Sequence, residues 1–328
     1  MTKWGILGCG NIAGKFADAL LAVPNAQLHA VASRSETKAR EFGKKHHATK
    51  WHAGYGALAA DPEVDAVYVA TPHALHKAHT ILCLNGGKPV LCEKPFAINR
   101  REAEEMVAVA RTKKLFLMEA MWTRFLPVIC KVRELLAGGI IGDVRMLTAD
   151  FGFRAEVNPQ ARLFDPALGG GSLLDVGVYS VAMAFMIFNR GPSALASTAS
   201  LGTTGVDEQA AAILRYDKGE MALLSSAIIA RTANEANIFG TGGSIRIPSF
   251  WRAVTATVSA GDTREISIPF RANGYEYEAE EVMRCVAEGR LESDMMPLSE
   301  SLDIMATMDA IRAQWGLVYP MEKPQGNL

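Results

Sequence analysis

The chain has 328 residues, of which 49% are hydrophobic and 21% are charged, a composition typical of a globular protein with ample core material. Its 34 basic and 35 acidic residues give a formal net charge of -1, and no cluster of Lys and Arg is interleaved with aromatic residues, which argues against nucleic-acid binding. Five scattered cysteines without a Cys-x-x-Cys pair argue against a disulfide framework or a zinc site and favour a reducing compartment.

The amino-terminal part of the chain alternates short apolar runs with amphipathic stretches. Strands that alternate with helices in this way predict βαβ units and a parallel sheet. The predicted strands are residues 4–7, 28–32, 66–70, 89–92 and 115–119, and the predicted helices are residues 12–23, 35–46, 76–85 and 100–113.

The pattern changes near Glu119, where strands begin to follow one another with little helix between them. The turn sequences at residues 217–220 and 240–243 predict hairpins. The predicted strands are residues 144–153, 195–200, 210–216, 221–229, 236–240, 244–247, 254–259 and 265–268, and the predicted helices are residues 126–137, 172–188, 275–288 and 299–314.

These elements predict two domains. We expect an α/β dinucleotide-binding Rossmann domain over residues 1–121, and an α+β domain with a large, mostly antiparallel open-faced sheet over residues 122–328. The last helix is a candidate for packing back on the first domain. One face of the predicted sheet carries many apolar side chains, so we expect a homodimer or homotetramer that buries it.

The amino terminus enters a strand pattern at once, which leaves no room for a signal peptide. The longest apolar stretch, residues 176–188, is too short to span a bilayer. We therefore expect a cytoplasmic protein without a membrane partner. Because His46, His47 and His52 show no metal-ligand pattern with nearby carboxylates, we also expect no metal.

The motif Gly8-Cys9-Gly10-Asn11-Ile12-Ala13 follows the first predicted strand and opens a helix. Gly8 permits the tight turn, Gly10 lets the backbone approach a pyrophosphate, and Ala13 permits close packing of helix on strand. A glycine-rich loop that binds nothing is the alternative. The strand–turn–helix context favours dinucleotide binding, with Gly8, Gly10, Asn11 and Ile12 at the cofactor.

The residues that choose between NAD and NADP follow the second strand, where an NAD enzyme usually places Asp or Glu. This chain has Ser33, Arg34 and Ser35 there, with Lys38 one helical turn further on. A guanidinium makes bidentate bonds to phosphate, so Ser33, Arg34 and Lys38 favour NADP over NAD. Glu36 weakens this inference, and Arg34 as a solvated loop residue is the alternative.

Lys94 follows the apolar run at residues 89–92 and is followed by Pro95. The proline restricts Lys94 to extended geometry, so the lysine should lie at the carboxyl end of a parallel strand, where open α/β sheets bind their ligands. A buried ammonium group is costly unless it is paired, which points to an active-site role.

Three glycines at residues 169–171 lead into a helix that carries Asp175 and Tyr179. Four residues separate these two side chains, so they project from the same face of that helix. They are either an acid/base pair or two buried groups that form hydrogen bonds with each other or with the backbone. The spacing does not decide between these two interpretations.

Together these motifs resemble the Gfo/Idh/MocA oxidoreductases, over nearly the whole chain. The motifs are Gly8-x-Gly10-x-x-Ala13, Thr71-Pro72-His73-x-x-His76, Glu93-Lys94-Pro95 and Gly169-Gly170-Gly171 with Asp175, Gly177 and Tyr179. The run from Met118 to Phe125, with tyrosine at position 179, resembles the branch of dimeric dihydrodiol dehydrogenases and NADP-dependent D-xylose dehydrogenases.

The resemblance implies that Lys94 and Tyr179 are catalytic and that Asp175 contacts the substrate. A nearby ammonium group lowers the pKa of a phenol, so we expect Tyr179 to take the proton of a substrate hydroxyl while Lys94 stabilises the phenolate. Which of the two receives the proton directly stays open, because coupled groups share their titration.

Weaker expectations concern two further groups of residues. Those expected at the cofactor, besides Lys94, are Thr71, Pro72, His73, His76 and Glu93, although an ordinary loop hydrogen bond would explain either histidine equally well. Those expected at the substrate pocket are Trp122, Arg124, Phe151 and Phe153, for which a core position is the alternative.

The expected function is NADP-dependent hydride transfer from a sugar or cyclic diol, with oxidation of a D-xylose-like aldose at C1 as the first choice. Oxidation of a trans-dihydrodiol or reduction of a dicarbonyl sugar is the alternative within the same class. A non-catalytic NADP-sensing regulator is the alternative of another class, and the presence of Lys94, Asp175 and Tyr179 argues against it.

Overall fold

The computed structural model describes residues 1–323 of the chain. Their contacts divide the chain into two units: Met1–Phe125 with Phe270–Leu302, and Leu126–Pro269 with the residues from Asp303 onward. The domain boundary at residue 121 stays a prediction from sequence. The segment Phe270–Leu302, which the sequence assigned to the second domain, is grouped with the first unit because one of its helices packs against the first helix of the chain.

Fourteen strands form two sheets in the described part of the chain. They are β1 (Thr2–Leu7), β2 (Ala26–Ser33), β3 (Lys50–Ala53), β4 (Ala66–Val69), β5 (Val90–Glu93), β6 (Leu117–Ala120), β7 (Val144–Gly152), β8 (Ala194–Leu201), β9 (Asp207–Arg215), β10 (Met221–Ala227), β11 (Glu235–Gly240), β12 (Gly243–Pro248), β13 (Thr255–Ala260) and β14 (Asp262–Ser267).

Nine α-helices accompany these strands over residues 1–323. They are α1 (Asn11–Leu20), α2 (Glu36–Lys45), α3 (Tyr55–Ala59), α4 (His76–Asn85), α5 (Arg100–Lys113), α6 (Pro127–Ala137), α7 (Val178–Phe188), α8 (Glu276–Ala287) and α9 (Leu298–Ala313). Short 3₁₀ turns and one π-helical turn, Leu173–Gly177, complete the secondary structure.

The sheet of the first unit has six parallel strands in the order β3-β2-β1-β4-β5-β6. Strands β4, β5 and β6 are buried along their whole length, as expected when helices cover both faces of a parallel sheet. This strand order is that of a doubly wound dinucleotide-binding fold, so the predicted fold class is confirmed.

The sheet of the second unit has eight strands in the order β14-β13-β12-β11-β7-β10-β9-β8. Only β7 and β10 run parallel, and every other neighbouring pair is antiparallel. Helix α7 packs against β7 and β10 on one face, and burial alternates along the strands, with Leu224 buried and Leu223 exposed. The predicted open-faced, mostly antiparallel sheet is therefore confirmed.

Two elements of the first sheet region were not predicted. Strand β3 lies at the sheet edge with none of its four side chains buried, so it lacks the apolar run that marks the other strands. Helix α3 has five residues, too few for a recognisable helical period. The places of both elements are set by tertiary contacts, since β3 pairs with β2 and α3 packs against β2 and α4.

One helical stretch in the described residues, Pro166–Phe188, is long and apolar enough to cross a membrane. Of its most apolar 18-residue segment, 94% is buried inside the protein. The apolar stretch that the sequence shows at residues 176–188 forms the carboxyl-terminal part of this longer region. Burial of this kind is typical of a core helix.

Candidate active site

Gly8 lies in the turn between β1 and α1, where two loops meet. Its φ is +103°, and a Cβ atom there would lie 2.7 Å from the carbonyl oxygen of Ala70, which follows β4. Only glycine fits this position. Because β1 and β4 are the neighbours at which the strand order reverses, Gly8 marks the crevice in which doubly wound folds bind their ligands.

Gly10 and the start of α1 provide a site that suits a pyrophosphate. Gly10 is the residue before the helix, and as a glycine it has no side chain that could cap the first amides of α1. A Cβ atom at Gly10 would meet no described atom within 4 Å. Free amides at a helix start bind anions, so Gly10, exposed Asn11 and half-buried Ile12 fit the pyrophosphate of a dinucleotide.

The end of β2 carries the groups that would contact the 2′ position of the cofactor's adenosine ribose. Ser33 ends the strand, and its Oγ accepts a hydrogen bond of 3.3 Å from the Ser35 amide. The Ser35 Oγ in turn accepts from the Lys38 amide at 3.3 Å. Arg34 and Lys38 are both exposed, so two cations are available where an NAD-specific enzyme usually has a carboxylate.

Tyr55 and His79, which the sequence did not single out, lie beside these groups. Burial raises the pKa of the Tyr55 phenol, and the guanidinium of Arg34 opposes this shift. The rings of Tyr55 and His79 make an edge contact with centroids 4.5 Å apart, and the His79 Nδ1 lies 3.0 Å from the Thr71 Oγ1. The sequence offered one signal for His79, its position one helical turn after His76.

His76 lies in the interior and connects the ends of two strands. Its Nδ1 is 2.8 Å from the carbonyl oxygen of Pro95, and its Nε2 is 2.8 Å from the carbonyl oxygen of Thr71. Burial lowers the pKa of His76 to about 4, so the ring is neutral at pH 7 and donates to only one of the two carbonyls. His76 thus orders the loops after β4 and β5, and its predicted cofactor contact stays a prediction.

The remaining residues of this motif lie at the same end of the sheet. Thr71 and His73 are buried, and Pro72 is partly exposed. His73 begins a 3₁₀ turn and makes an edge contact with His76, with ring centroids 5.7 Å apart. Their predicted places along the cofactor are compatible with this position, at the carboxyl end of β4.

Lys94 lies directly after β5, and Glu93 holds its backbone. The Lys94 amide donates to the Glu93 Oε2 at 3.1 Å, and the Tyr68 hydroxyl donates to the other oxygen of the same carboxylate. Burial and the charge of Glu93 raise the pKa of the Tyr68 phenol well above its ordinary value. Glu93 is therefore the structural support of Lys94, a role that the sequence did not assign to it.

A second buried carboxyl group, Glu278 on α8, faces Glu93. Neither of its oxygens has a hydrogen-bond partner among residues 1–323. Burial, followed by the charge of Glu93, raises the pKa of Glu278 well above its ordinary value. The sequence missed this residue because it lies far from the Glu93-Lys94-Pro95 motif along the chain.

Glu119 supports the same loop from β6. Its Oε1 accepts a hydrogen bond of 3.1 Å from the amide of Phe96, two residues after Lys94. Complete burial raises the pKa of Glu119 to about 7. The loop that carries Lys94 is thus held by the carboxyl groups of two adjacent strands, β5 and β6.

Trp122 and Arg124, predicted at the substrate pocket, have partners within the first unit. Trp122 is buried and stacks on Tyr275 with ring centroids 4.3 Å apart. Arg124 is buried, forms an ion pair with Glu300 and donates to the carbonyl oxygen of Met295 at 3.1 Å. These contacts account for the burial of both side chains, and a substrate contact of either one stays a prediction.

In the second unit, Asp175 and Tyr179 lie in consecutive turns of one helical segment, and Tyr179 lies beside Phe151. Asp175 lies in the π-helical turn before α7 and accepts a hydrogen bond of 2.8 Å from the Arg162 guanidinium. Tyr179, in the first turn of α7, is buried, and its ring centroid lies 5.6 Å from that of Phe151. Single π-helical turns within a helix occur frequently at functional sites.

An aromatic group extends from these residues. Phe151 stacks on Trp251 with ring centroids 4.0 Å apart. Phe153 follows β7, is partly exposed, and its amide donates to the carbonyl oxygen of Ala227 at 3.1 Å. The second unit therefore presents a carboxylate, a phenol and an apolar aromatic surface, which suits a ring that carries hydroxyl groups. Arg162 and Trp251 were not predicted.

One group of metal-type ligands, His29, Asp61 and Glu63, occurs in residues 1–323. The sequence suggested that the histidines lack carboxylate neighbours, whereas the His52 Nε2 lies 3.0 Å from an oxygen of Asp61. Lys50 pairs with both carboxylates of the group, so a metal ion would compete with an ammonium group already present. We assign no metal to it.

The first sheet, the turn after β1 and the basic groups after β2 define an NAD(P)-dependent oxidoreductase. Residues 2–121 match the model of the oxidoreductase family with an NAD-binding Rossmann fold, and residues 129–246 match that of the GFO/IDH/MocA C-terminal domain. The chain belongs to the Gfo/Idh/MocA oxidoreductase family.

Curated relatives of this chain are named trans-1,2-dihydrobenzene-1,2-diol dehydrogenase. The protein from Xenopus tropicalis is 39% identical over 330 residues, which cover 97% of this chain and 99% of the relative. The human protein is 36% identical over 332 residues, which cover 98% of this chain and 99% of the relative. The similarity thus extends over both units.

Two solved structures of other oxidoreductases are similar to this chain over nearly its whole length. KijD10, a 3-ketoreductase from Actinomadura kijaniata in complex with NADP and TDP-benzene, is 27% identical with a TM-score of 0.85, covering 95% of this chain and 97% of that protein. The aldose–aldose oxidoreductase from Caulobacter crescentus, in complex with glycerol, is 25% identical with a TM-score of 0.88, covering 97% of this chain and 99% of that protein.

Proposed function

We propose that this chain is an NADP-dependent dehydrogenase that oxidises a hydroxyl-bearing carbon of a small cyclic substrate, a diol or a sugar. The observation that carries the proposal is in the second unit, where Tyr179 lies beside the aromatic ring of Phe151 and Asp175 lies one turn earlier on the same helical segment. A carboxylate and a phenol next to an apolar surface suit a ring with adjacent hydroxyl groups.

The roles follow from the chemistry of each side chain. An NADP held at Gly10 and the start of α1 would supply the acceptor for the hydride of the carbon that is oxidised. Tyr179 accepts the proton of the hydroxyl group on that carbon. Lys94, fixed by Glu93 at the end of β5, stabilises the negative charge that develops on the substrate oxygen. Asp175, oriented by Arg162, accepts a hydrogen bond from a second hydroxyl group.

The preference for NADP is supported by Arg34 and Lys38. Both are exposed at the end of β2, and a guanidinium binds a 2′-phosphate through charge-assisted hydrogen bonds. A ribose 2′-hydroxyl would have no carboxylate partner among residues 33–35. The NADP in KijD10 supports the same preference by similarity.

Two substrate classes remain candidates, each favoured by a different observation. The name of the curated relatives favours a trans-dihydrodiol, which would be oxidised to a catechol. The structural neighbour that is named an aldose–aldose oxidoreductase favours an aldose oxidised at C1, such as D-xylose.

A homodimer or homotetramer formed through the second sheet belongs to the same proposal. Leu223 and Ile213 are a cross-strand pair, as are Met146 and Phe239, and all four side chains are exposed on the face that does not contact α7. Apolar residues at aligned positions of neighbouring strands form a continuous surface that a second copy would bury.

The test is the rate of NADPH formation, measured by absorbance with a panel of aldoses and trans-dihydrodiols and repeated with NAD. We expect turnover with one of the two substrate classes and a higher kcat/KM with NADP than with NAD. Tight NADP binding without turnover on any diol or sugar would contradict the proposal and favour a non-catalytic NADP-binding protein.

A further inference from the structure

Asp207, the first residue of β9, lies under the segment that carries the proposed catalytic groups of the second unit. It is fully buried. Its Oδ2 accepts a hydrogen bond of 2.8 Å from the Ser172 hydroxyl and one of 2.6 Å from the Leu173 amide. Leu173 begins the π-helical turn that contains Asp175. Asp207 therefore binds the first turn of this helix through both a side chain and the backbone.

The backbone beside Ser172 lies close to the Asp207 carboxyl group because residue 171 is a glycine. Gly171 has a φ of +112°, and a Cβ atom there would lie 2.2 Å from the Asp207 Oδ1. The Ser172 Oγ also lies 2.9 Å from the Ser226 Oγ on β10. The carbonyl oxygen of Gly170, the residue before Gly171, accepts a hydrogen bond of 2.7 Å from the Tyr319 hydroxyl. The segment before Asp175 is thus held by hydrogen bonds at Gly170, Ser172 and Leu173.

A carboxyl group at this position is costly for the fold. The Asp207 Oδ1 has no hydrogen-bond partner among residues 1–323. Burial raises the pKa of Asp207 to about 6, against the effect of its bonds to Leu173 and Ser172. An asparagine could accept the same two hydrogen bonds without a buried charge, so the cost points to a role beyond packing.

We infer that Asp207 is a positioning residue for Asp175 and Tyr179. Its carboxylate binds the amino-terminal end of their helix, where the helix dipole favours a negative charge. This bond fixes the position of the helix along its axis and its rotation about that axis, and therefore the positions of both side chains. The inference rests on the proposed function, because that proposal gives Asp175 and Tyr179 their roles. No contact of Asp207 with the substrate is required.

The test compares Asp207→Asn with Asp217→Asn, which alters an exposed aspartate in the turn before β10. Asp207→Asn keeps the acceptor atom but removes the charge. We expect a thermal midpoint equal to or above that of the wild type, a kcat at least ~10-fold lower, and unchanged NADP affinity. Asp217→Asn should leave all three at wild-type values. A kcat for Asp207→Asn within a factor of ~2 of wild type would overturn the inference.

A glycine pair provides a second test that does not depend on the charge. Gly171→Ala and Gly205→Ala both place a Cβ atom at positive φ, but only the first collides with Asp207, since no described atom lies within 4 Å of such an atom at Gly205. We expect Gly171→Ala to lose turnover and Gly205→Ala to keep it. Equal losses in the two variants would mean that backbone strain, and not the contact with Asp207, causes the effect.

Hydrogen–deuterium exchange separates this inference from the proposed function. We expect Asp207→Asn and Gly171→Ala to accelerate exchange of the amides in residues 172–179, and Asp217→Asn to leave it unchanged. If the wild type turns over no diol or sugar, the proposed function fails, and accelerated exchange still supports Asp207 as the anchor of this segment. Unchanged exchange in both variants would overturn the anchor even in an active enzyme.

Discussion

Tyr68 donates a hydrogen bond to the carboxylate of Glu93, the residue that precedes Lys94. The two lie on adjacent parallel strands, β4 and β5, and both are buried. The other oxygen of the same carboxylate accepts from the Lys94 amide. The backbone of the proposed catalytic lysine is therefore connected to the sheet interior by two hydrogen bonds that share one carboxylate.

Replacement of Tyr68 by Phe should weaken this connection. The buried carboxylate loses a donor, which costs about 2 kcal/mol in the free energy of unfolding. We expect this loss in urea unfolding and a lower kcat. Tyr216→Phe is the matched control, because Tyr216 is also buried but its hydroxyl has no partner among residues 1–323. Equal stability of the two variants would contradict the proposed support of Glu93.

Replacement of Glu119 by Gln should change how stability depends on pH. Burial raises the pKa of Glu119 from 4.5 to about 7, so the folded state binds a proton that the unfolded state has released between these values. The free energy of unfolding therefore falls as pH rises through this window, by about 3 kcal/mol from this group. Glutamine cannot ionise, and its oxygen can still accept from the Phe96 amide.

We accordingly expect Glu119→Gln to flatten the decline between pH 5 and pH 8 and to exceed the wild type in stability at pH 8, by chemical unfolding at each pH. Glu41→Gln, at an exposed position of α2, should follow the wild-type profile. Other buried groups, such as His76, also titrate near this window, so the difference between the two profiles is the measure. Profiles of Glu119→Gln and the wild type that stay parallel from pH 5 to pH 8 would contradict the titration of Glu119 there.

Replacement of Arg34 by Ala should shift the cofactor preference. Loss of a charge-assisted contact to the 2′-phosphate should weaken NADP binding ~10- to 100-fold, whereas NAD, which lacks this phosphate, should bind nearly unchanged. Isothermal titration with both cofactors measures the difference. Arg101→Ala removes a comparable exposed arginine from α5 and should affect neither cofactor. An equal loss for NAD and NADP would contradict the assignment of Arg34.

The sequence predicted the fold well where local pattern and burial agree. Strands β4 and β5 are apolar because both faces of a parallel sheet are covered, and their apolar runs are visible without a structure. Gly8 was also predictable, because a dinucleotide-binding turn after the first strand requires it. Strand β3 was not, because its side chains are half-exposed at the sheet edge.

The supports of the candidate site were not predictable from the sequence. Glu278 faces Glu93, and Asp207 binds Ser172, only because distant segments meet in the fold. No periodicity or motif connects such residues along one chain. The spacing of Asp175 and Tyr179 did place them on one helix, but the π-helical turn between Leu173 and Gly177 leaves no mark in the sequence.

Replacement of Leu223 by Glu should reduce the oligomeric state. A charge in the centre of the exposed face of the second sheet would oppose its burial by another copy. Sedimentation velocity should show an oligomer for the wild type and a monomer for Leu223→Glu, and Glu265→Gln on the edge strand β14 should remain an oligomer. A monomeric wild type would contradict assembly through this face.

The most direct test of the account is the turnover number of Tyr179→Phe, measured as NADPH formation with the diol or sugar that the wild type oxidises. Without the phenol no proton acceptor remains at this position, and we expect kcat to fall by ~10²- to 10⁴-fold with unchanged NADP affinity. Tyr216→Phe, at a buried position in the same unit, should retain wild-type turnover. A Tyr179→Phe variant with near-normal turnover would contradict the central claim that Tyr179 accepts the substrate proton.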